Sequence, residues 1–194
     1  MSGVTWDWPL FEALNFDGPA WLDTVMKLVS GIAPWTPLYL IIIYLVWRRY
    51  SWRGTIKFLV AIGVAIALAD VVSGIFKQQG LLAELWSGMP SRLRPMYTDG
   101  VEAFTNGYGR AATYGTVSGH AATIVAIAVL SSVVIARRWF SVMMTIVAVA
   151  VCYSRIYLAC HFPQDILLGA TLGFVSALVG WWLFRWLQRL QPKG

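Results

Sequence analysis

The stretch VSGHAATIVAIAVLSSVVIA, residues 117–136, contains no Asp, Glu, Lys or Arg. At about 1.5 Å of helical rise per residue, its length matches the roughly 30 Å thickness of a bilayer's hydrocarbon core. We therefore predict a transmembrane helix here. It begins near His120, one of the two histidines in the chain.

Apolar runs of similar length lie on both sides of this stretch. We predict four further spans, at about 28–47, 55–76, 139–158 and 165–184. The whole chain is 58% hydrophobic and 12% charged, whereas soluble domains carry about 25% charged residues. These patterns predict an all-α fold: a polytopic membrane helical bundle of five or six transmembrane helices, forming a single membrane-embedded domain over 1–194.

The N-terminal part of this pattern leaves an alternative open. Pro34 and Pro37 should kink the first span, so a helix through 20–33 followed by a short span is also consistent with the sequence. The first 27 residues mix tryptophans with acidic residues, which is typical of a segment lying at the membrane interface. They lack the pattern of a removable signal peptide.

Basic residues predict the orientation of the bundle. They cluster at the two predicted hairpins and at the C-terminal end: Arg48, Arg49, Arg53, Lys57, Arg137, Arg138, Arg185, Arg189 and Lys193. Lys and Arg mark cytoplasmic loops, so we expect a cytoplasmic C-terminus and a bacterial inner (plasma) membrane location. The long loop of about 77–116 and the connection near 159–164 then face the outside or periplasm.

Two other features of composition are best explained without a special function. The net charge of +6 could suggest nucleic acid, but the basic residues follow the ends of apolar runs, so no nucleic-acid partner is expected. Cys152 and Cys160 lie eight positions apart, too far along one helix for a disulfide. They are interpreted as small buried residues rather than metal ligands.

The second histidine lies in the segment Ser154-Arg-Ile-Tyr-Leu-Ala-Cys-His161-Phe-Pro-Gln-Asp165. Asp165 follows His161 by four residues, so its carboxylate can reach one imidazole nitrogen and leave the other available as a nucleophile. Arg155 is costly in hydrocarbon and should face the bundle interior or an anion. Its guanidinium group suits phosphate oxygens.

His120 follows Ser118 and Gly119 at the predicted beginning of a helix. Ser118 is a plausible N-cap, and free backbone N–H groups at a helix beginning favour an anion. Arg92 and Arg94, in the sequence Arg-Leu-Arg-Pro, add two guanidinium groups on the same predicted side. These residues predict a phosphate-binding site with an acid beside it.

In order and spacing, these segments resemble the type 2 phosphatidic acid phosphatase superfamily. Its motifs are Lys-x6-Arg-Pro, Pro-Ser-Gly-His and Ser-Arg-x5-His-x3-Asp. The third is matched at every fixed position, and the second differs in having Val117 for proline. The first keeps Arg94 and Pro95, but Ser87 stands where the lysine is expected. The resemblance covers about 77–165, the region of the expected catalytic segments.

The resemblance implies roles for individual residues. His161 would attack phosphorus to form a phosphohistidine, Asp165 would orient it, and His120 would protonate the leaving oxygen. The phosphoryl oxygens would be held by Arg94, Arg155, Ser118 and the Gly119 N–H. The family needs no metal, so neither a metal nor another cofactor is expected.

The missing lysine of the first motif leaves two candidates. Either an insertion has moved this role to Lys77, seventeen residues before Arg94, or Arg92 supplies the second charge. We favour Lys77. Asp70 shares roughly one helical face with Lys77, so a buried structural pair and a catalytic role are both consistent with its position.

The predicted function is that of an integral-membrane lipid phosphatase whose substrate lies in the phospholipid bilayer. Undecaprenyl diphosphate and lipid A phosphate are the expected substrates, while phosphatidylglycerophosphate and phosphatidic acid also fit. A lipid phosphotransferase is an alternative chemistry. A membrane channel or transporter is an alternative class, which polar residues scattered along the spans would favour. No obligatory protein partner is evident.

Overall fold

A computed structural model of the chain describes residues 6–78, 91–109 and 111–190. These residues form six α-helices: α1 (Asp7–Leu14), α2 (Ala20–Ser30), α3 (Thr36–Ile75), α4 (Gly119–Ile135), α5 (Arg138–Tyr157) and α6 (Pro163–Arg189). Within the described ranges there is no strand, and one isolated antiparallel bridge pairs Leu93 with Tyr114. The all-α prediction is confirmed. Residues 79–90 and 110 of the predicted outer loop lie outside the described residues.

The helix α3 reverses direction at Ser51, whose φ of 63° and ψ of 178° interrupt the helical backbone. One cleft is lined both by Tyr39, near the beginning of α3, and by Lys77, two residues beyond its end. The two ends of α3 therefore lie close together. The reversal lies at the other end of the bundle, where a Cβ on Gly54 would be 3.3 Å from Gln188 Nε2. The 40 residues of α3 therefore run along the bundle twice, in agreement with the predicted hairpin.

The first predicted span, 28–47, is wrong as a continuous helix. The helix α2 ends at Ser30, a 3₁₀ turn follows at Ala33–Trp35, and the chain becomes helical again at Thr36. Pro34 lies in this turn and Pro37 in the first turn of α3, where a missing N–H is tolerated. The structure matches the alternative of a helix through 20–33 followed by a short span.

The helix α4 lies at the centre of the bundle and packs against α3, α5 and α6. Its contact with α6 is close because Gly173 has no side chain there: a Cβ on Gly173 would lie 2.3 Å from the Ala122 carbonyl oxygen. Small residues allow this approach between membrane helices. At the same seam the Ser118 N–H donates to the Asp165 carbonyl (3.0 Å). The beginnings of α4 and α6 are thereby held side by side.

The outward faces of the long helices are apolar. Their exposed side chains include Leu40, Ile41, Ile146, Val149, Phe174 and Trp182. Three segments are long and apolar enough to cross a membrane, Ala33–Ile75, Arg138–Tyr157 and Pro163–Arg189, while the apolar α4 is shorter. Continuous exposed apolar surface of this extent requires lipid rather than water around it.

The short helix α1 packs onto the beginning of α6 and the end of α5. Its Phe11 is fully buried and meets Phe162 edge to face, with ring centroids 5.3 Å apart. The Asn15 side chain donates to the carbonyls of Ile156 and Tyr157, at 3.1 and 2.8 Å. The N-terminal segment thus braces the turn between α5 and α6.

Candidate active site

The turn between α5 and α6 buries His161. Ala159 adopts a positive φ of 52°, and the N–H groups of Cys160 and His161 both donate to the Arg155 carbonyl, at 2.9 and 3.2 Å. A left-handed residue just after the last turn is a common way to end a helix. The chain reverses within a few residues, which leaves His161 1% exposed between two helix ends.

Both ring nitrogens of His161 have a neighbour. Nδ1 lies 2.9 Å from the Gly115 carbonyl oxygen, which can only accept, so Nδ1 carries the proton. Nε2 is then an acceptor, and Nη1 of Arg94 donates to it at 3.1 Å. The basic nitrogen of the imidazole therefore faces a guanidinium group.

Gly115 is a site residue to which the sequence analysis assigned no role. A Cβ at this position would lie 3.3 Å from His161 Nδ1 and 2.8 Å from Arg94 Cγ. Any larger residue would therefore push two site side chains apart. A glycine five residues before one histidine was the available signal, but the partner of its carbonyl lies 46 positions away.

Asp165 lies beside His161 but is not its nearest acceptor. Its Oδ2 is 3.6 Å from His161 Nδ1 and accepts the Phe162 N–H at 2.9 Å, which caps the beginning of α6. In this geometry two groups share the orienting role that was predicted for Asp165. The Gly115 carbonyl fixes the ring by a hydrogen bond, and the Asp165 carboxylate supplies negative charge next to it.

Arg94 and Arg155 are both buried, at 6% and 3% exposure. Arg94 Nη1 donates to the Cys160 carbonyl at 2.9 Å. Arg155 Nη1 donates to the Ser30 hydroxyl and, at 3.3 Å, to the Tyr108 hydroxyl. The Nε–H of each arginine has no hydrogen-bond partner among the described residues. Buried cations are retained when they have a paired anion, and an unused N–H on each suits a bound phosphate.

Lys77 reaches the beginning of α4. A Cβ on Gly119 would lie 2.6 Å from Lys77 Nζ, so this glycine makes room for the ammonium group. Nζ also lies 3.4 Å from the Ser73 hydroxyl. Ser118 is the N-cap of α4, and its buried hydroxyl accepts the Ala121 N–H at 3.3 Å. The predicted Lys77, Ser118 and Gly119 are therefore brought together.

His120, in the first turn of α4, lines a cleft of about 250 Å³ with Gly119 and Lys77. Asp70 lines the same cleft, and its side chain is exposed there rather than buried. It forms no ion pair with Lys77 among the described contacts. Of the two alternatives left open for Asp70, the buried structural pair is therefore not observed. Asp70 faces the cleft that a substrate would enter.

Arg92 has a different environment from Arg94. Its Nη1 donates to Asp7 and its Nη2 to Asp165, each at 2.6 Å. Its guanidinium group also lies 4.3 Å from the centre of the Phe162 ring. Both terminal nitrogens are thus already bound to carboxylates. This geometry favours Lys77 over Arg92 for the missing lysine, although the roles of both remain predictions.

The cations of the site determine its ionisation. Burial, together with the positive charges of Arg94, Arg155 and Lys77, holds the pKa of His161 well below its usual range. His161 is therefore neutral at neutral pH, as a nucleophile must be. Burial, with a smaller contribution from Arg94, lowers the pKa of Lys77 to about 8, and Asp70 opposes that shift. Lys77 is then mostly an ammonium at pH 7.

Possible metal ligands are sparse in the site. Among residues 6–78, 91–109 and 111–190, no group of three or more His, Cys, Asp or Glu side chains could hold a metal ion. Cys152 and Cys160 are free thiols, the first half-buried and the second buried. The arrangement of the site is that of cations around a neutral imidazole.

A membrane bundle that gathers two histidines and several cations at one end defines an integral-membrane phosphatase. The chain belongs to the PAP2 superfamily, whose family model matches residues 58–189. It is 30% identical over 178 residues to a lipid A 4'-phosphatase of Bacteroides thetaiotaomicron, covering 88% of this chain and 72% of the relative. It is 27% identical to an undecaprenyl-diphosphatase of Sulfolobus acidocaldarius, covering 84% and 71%.

A solved structure has the same fold. The PAP2-type phosphatidylglycerolphosphate phosphatase from Bacillus subtilis superimposes with a TM-score of 0.65 over 100% of this chain and 90% of that one, at 17% identity. These relatives confirm the predicted family, the helical membrane fold and the class of activity. The protein is an integral membrane lipid phosphatase of the PAP2 type.

Proposed function

We propose that this enzyme removes a phosphoryl group from a lipid phosphate through a phosphohistidine on His161, without a metal. The observation that carries the proposal is the His161 ring. Its Nδ1 is held at 2.9 Å by the Gly115 carbonyl, and its Nε2 faces Arg94 at 3.1 Å. A neutral imidazole with one nitrogen fixed can attack phosphorus through the other once a phosphoryl oxygen takes over the Arg94 N–H.

In the first step, the Nε2 lone pair of His161 forms a bond to phosphorus while the bond from phosphorus to the lipid oxygen breaks. His120 gives its proton to that oxygen. The bound phosphate's negative charge supports the protonated form of His120 against the surrounding cations. The His161 ring becomes positively charged, and the Gly115 carbonyl and Asp165 carboxylate stabilise this charge.

In the second step, His120 accepts a proton from a water molecule whose oxygen attacks phosphorus. The P–N bond breaks, inorganic phosphate leaves, and both histidines return to their initial states. Arg94, Arg155, Lys77 and the donors at the beginning of α4 hold the phosphoryl oxygens through both steps. Preorganised cations and N–H groups of this kind are typically the largest contribution to such catalysis.

The cleft beside His120 suits an amphipathic substrate. Its lining combines polar side chains, among them Asp70, Lys77 and His120, with apolar ones: Ile32, Trp35, Ile124, Ile127 and Val151. A phosphorylated head group would meet the polar side chains while an acyl or prenyl chain follows the apolar ones. The activities of the similar proteins favour a lipid A phosphate, with undecaprenyl diphosphate as the second candidate.

We also propose that the site faces the outside of the cytoplasmic membrane and that the C-terminus is cytoplasmic. The exposed arginines lie at the end of the bundle opposite the site, among them Arg49, whose Nη1 donates to the carbonyl of Ile135 at the end of α4. Single cysteines at Asp99 and Arg138, in a chain lacking Cys152 and Cys160, test this with an impermeant thiol reagent. Labelling of position 138 alone in intact cells would invert the topology.

The chemistry is tested by phosphate release from a panel of purified lipid phosphates and diphosphates in detergent, with and without EDTA. We expect release with and without the chelator. We also expect an alkali-stable, acid-labile phosphoenzyme in the wild type that is missing in His161→Ala. Complete loss with EDTA, restored by one divalent metal, would overturn the metal-independent mechanism.

A further inference from the structure

We propose that Asp7, on the N-terminal helix α1, is a positioning residue for this site that acts through Arg92 on Asp165 and His161. The inference rests on the proposed function, because it gives Asp7 a part in the reaction at His161. Asp7 lies outside the residues matched by the family model, which begin at 58. None of the motifs that define the site includes it.

Both carboxylate oxygens of Asp7 have hydrogen-bond partners next to the site. Its side chain is fully buried. Its Oδ2 accepts from Arg92 Nη1 at 2.6 Å, and its Oδ1 accepts the Gln164 N–H at 2.9 Å. Arg92 donates its other terminal nitrogen to Asp165 Oδ1 at 2.6 Å. One arginine therefore bridges two buried carboxylates, and the second of them lies beside His161.

The sum of the charges shows what Asp7 contributes. Asp7, Arg92 and Asp165 together carry one negative charge, whereas Arg92 and Asp165 alone would be neutral. The His161 ring gains a positive charge when its Nε2 bonds to phosphorus. The nearest atom of this net negative group, Oδ2 of Asp165, lies 3.6 Å from Nδ1. In a buried site the attraction between the group and the charged ring is only weakly screened. Asp7 therefore keeps Asp165 effective as an anion although Asp165 is paired with Arg92.

The helix α1 fixes this arrangement mechanically. The Phe162 ring lies under the Arg92 guanidinium group at 4.3 Å. Phe11 packs edge on against the same ring, and Trp8 stacks on it with centroids 6.3 Å apart. Asp7 thus approaches Arg92 from a helix whose aromatic side chains pack on the ring beneath the guanidinium group. This packing holds α1 against the beginning of α6.

The matched variants are Asp7→Asn and Glu12→Gln. The first removes the charge of Asp7 but keeps an oxygen for the Gln164 N–H. The second makes the same change at an exposed position of α1. In a His120→Asn background, which leaves one imidazole to observe, ¹⁵N NMR follows the titration of His161 in detergent without substrate. We expect Asp7→Asn to move the His161 midpoint to lower pH by about half a unit and Glu12→Gln to leave it unchanged.

Kinetics of phosphate release supply a second readout, in proteins that keep His120. We expect Asp7→Asn to lower kcat about tenfold with KM changed less than about twofold, and Asp7→Glu to recover most of this loss. In an Arg92→Gln background the further effect of Asp7→Asn should be under about twofold, because its route to Asp165 is gone.

The two proposals fail in different ways. If Asp7→Asn leaves the His161 midpoint unchanged in the His120→Asn background, the role of Asp7 is overturned, whether or not phosphate is released. An undiminished kinetic effect of Asp7→Asn in the Arg92→Gln background overturns it as well. A wild-type protein that releases no phosphate from any lipid in the panel overturns the proposed function, while the NMR comparison still decides the role of Asp7.

Discussion

The two ends of the bundle are both rich in cations, but they hold them in different ways. At the site end, Arg94 and Arg155 are buried, and each has an Nε–H without a partner among the described residues. At the opposite end the arginines are exposed, and four of them lie over aromatic rings. The pairs are Arg48 with Tyr44, Arg49 with Tyr50, Arg53 with Trp52, and Arg185 with Trp181, at 5.9, 5.6, 5.3 and 5.1 Å.

This difference separates a binding site from a membrane anchor. Exposed arginines keep their hydration and their long side chains cover apolar surface, so they need no anion. Buried arginines have lost their water, and an unused N–H there is costly until an acceptor arrives. The opposite end carries more Lys and Arg residues than the site end, so the number of positive charges does not mark the site. The burial of Arg94 and Arg155 is what favours the predicted phosphate site.

The largest effect should come from His161→Ala, which removes the proposed nucleophile but no cation. We expect a folded protein that binds lipid phosphate and turns it over several orders of magnitude more slowly, as loss of a nucleophile generally causes. Phosphate release by the purified variant measures this. Near-normal turnover would show that the burial of His161 serves packing and not chemistry.

Arg94→Gln should produce the next largest loss. Removing one donor that stabilises a developing charge typically costs about 2.7–4 kcal/mol, or roughly a hundred- to a thousandfold in kcat. The comparison is with Arg185→Gln at the opposite end, assayed in the same detergent. Equal losses of kcat in Arg94→Gln and Arg185→Gln would show that buried and exposed arginines do not differ in their effect on turnover.

Lys77→Met should lower turnover about a hundredfold, since the ammonium lies at the beginning of α4 and contacts phosphate in the proposed transition state. The double change Asp70→Asn with Lys77→Met controls for an unpaired carboxylate. Because Asp70 is exposed in the cleft, the double variant should stay as slow as the single one. Recovery of most of the wild-type rate would make Lys77 a structural residue.

Raising the pH should gradually remove the proposed contact between the Lys77 ammonium and phosphate. Lys77 has its pKa lowered to about 8 by burial, so the ammonium form is present below that pH and is lost as pH rises through it. We expect kcat/KM to fall about tenfold per pH unit above 8. Lys77→Arg keeps its charge over this range, so the alkaline fall should disappear in that variant. If the alkaline fall in kcat/KM persists in Lys77→Arg, a group other than Lys77 causes it.

The smallest effect is expected from Arg185→Gln itself. Its guanidinium group lies over Trp181 at an exposed position, where a substitution usually changes the free energy of unfolding by less than about 0.5 kcal/mol. Turnover should stay within about twofold of the wild type. Phosphate release and thermal unfolding in one detergent measure both quantities.

Most of the fold could be predicted because the bilayer imposes simple rules on sequence. Apolar runs of about twenty residues mark helices, and Arg and Lys mark the hairpins, so the reversal near Ser51 was expected. These rules did not decide whether the helix would break between Ser30 and Thr36. Two prolines are compatible both with a kinked helix and with an interrupted one, and packing decides between them.

The residues of the site were predictable where a motif holds them close together in sequence, as it does for His161 and Asp165. Their partners were not. Asp7 lies 85 positions from Arg92, and Ser30 lies 125 positions from Arg155. Such contacts depend on where the helices lie in space, which no local spacing records. The nearest acceptor of His161, the Gly115 backbone carbonyl, has no side-chain signature at all.

The close seam between α4 and α6 has a mechanical consequence for an enzyme that works in a fluid bilayer. The seam joins the helix that begins beside His120 to the helix that begins beside His161, and its side-chain-free contact at Gly173 leaves little room for sliding. When lipids thin, thicken or curve the membrane, we expect these two helices to move together. The distance between His120 and His161 should then change little under bilayer stress.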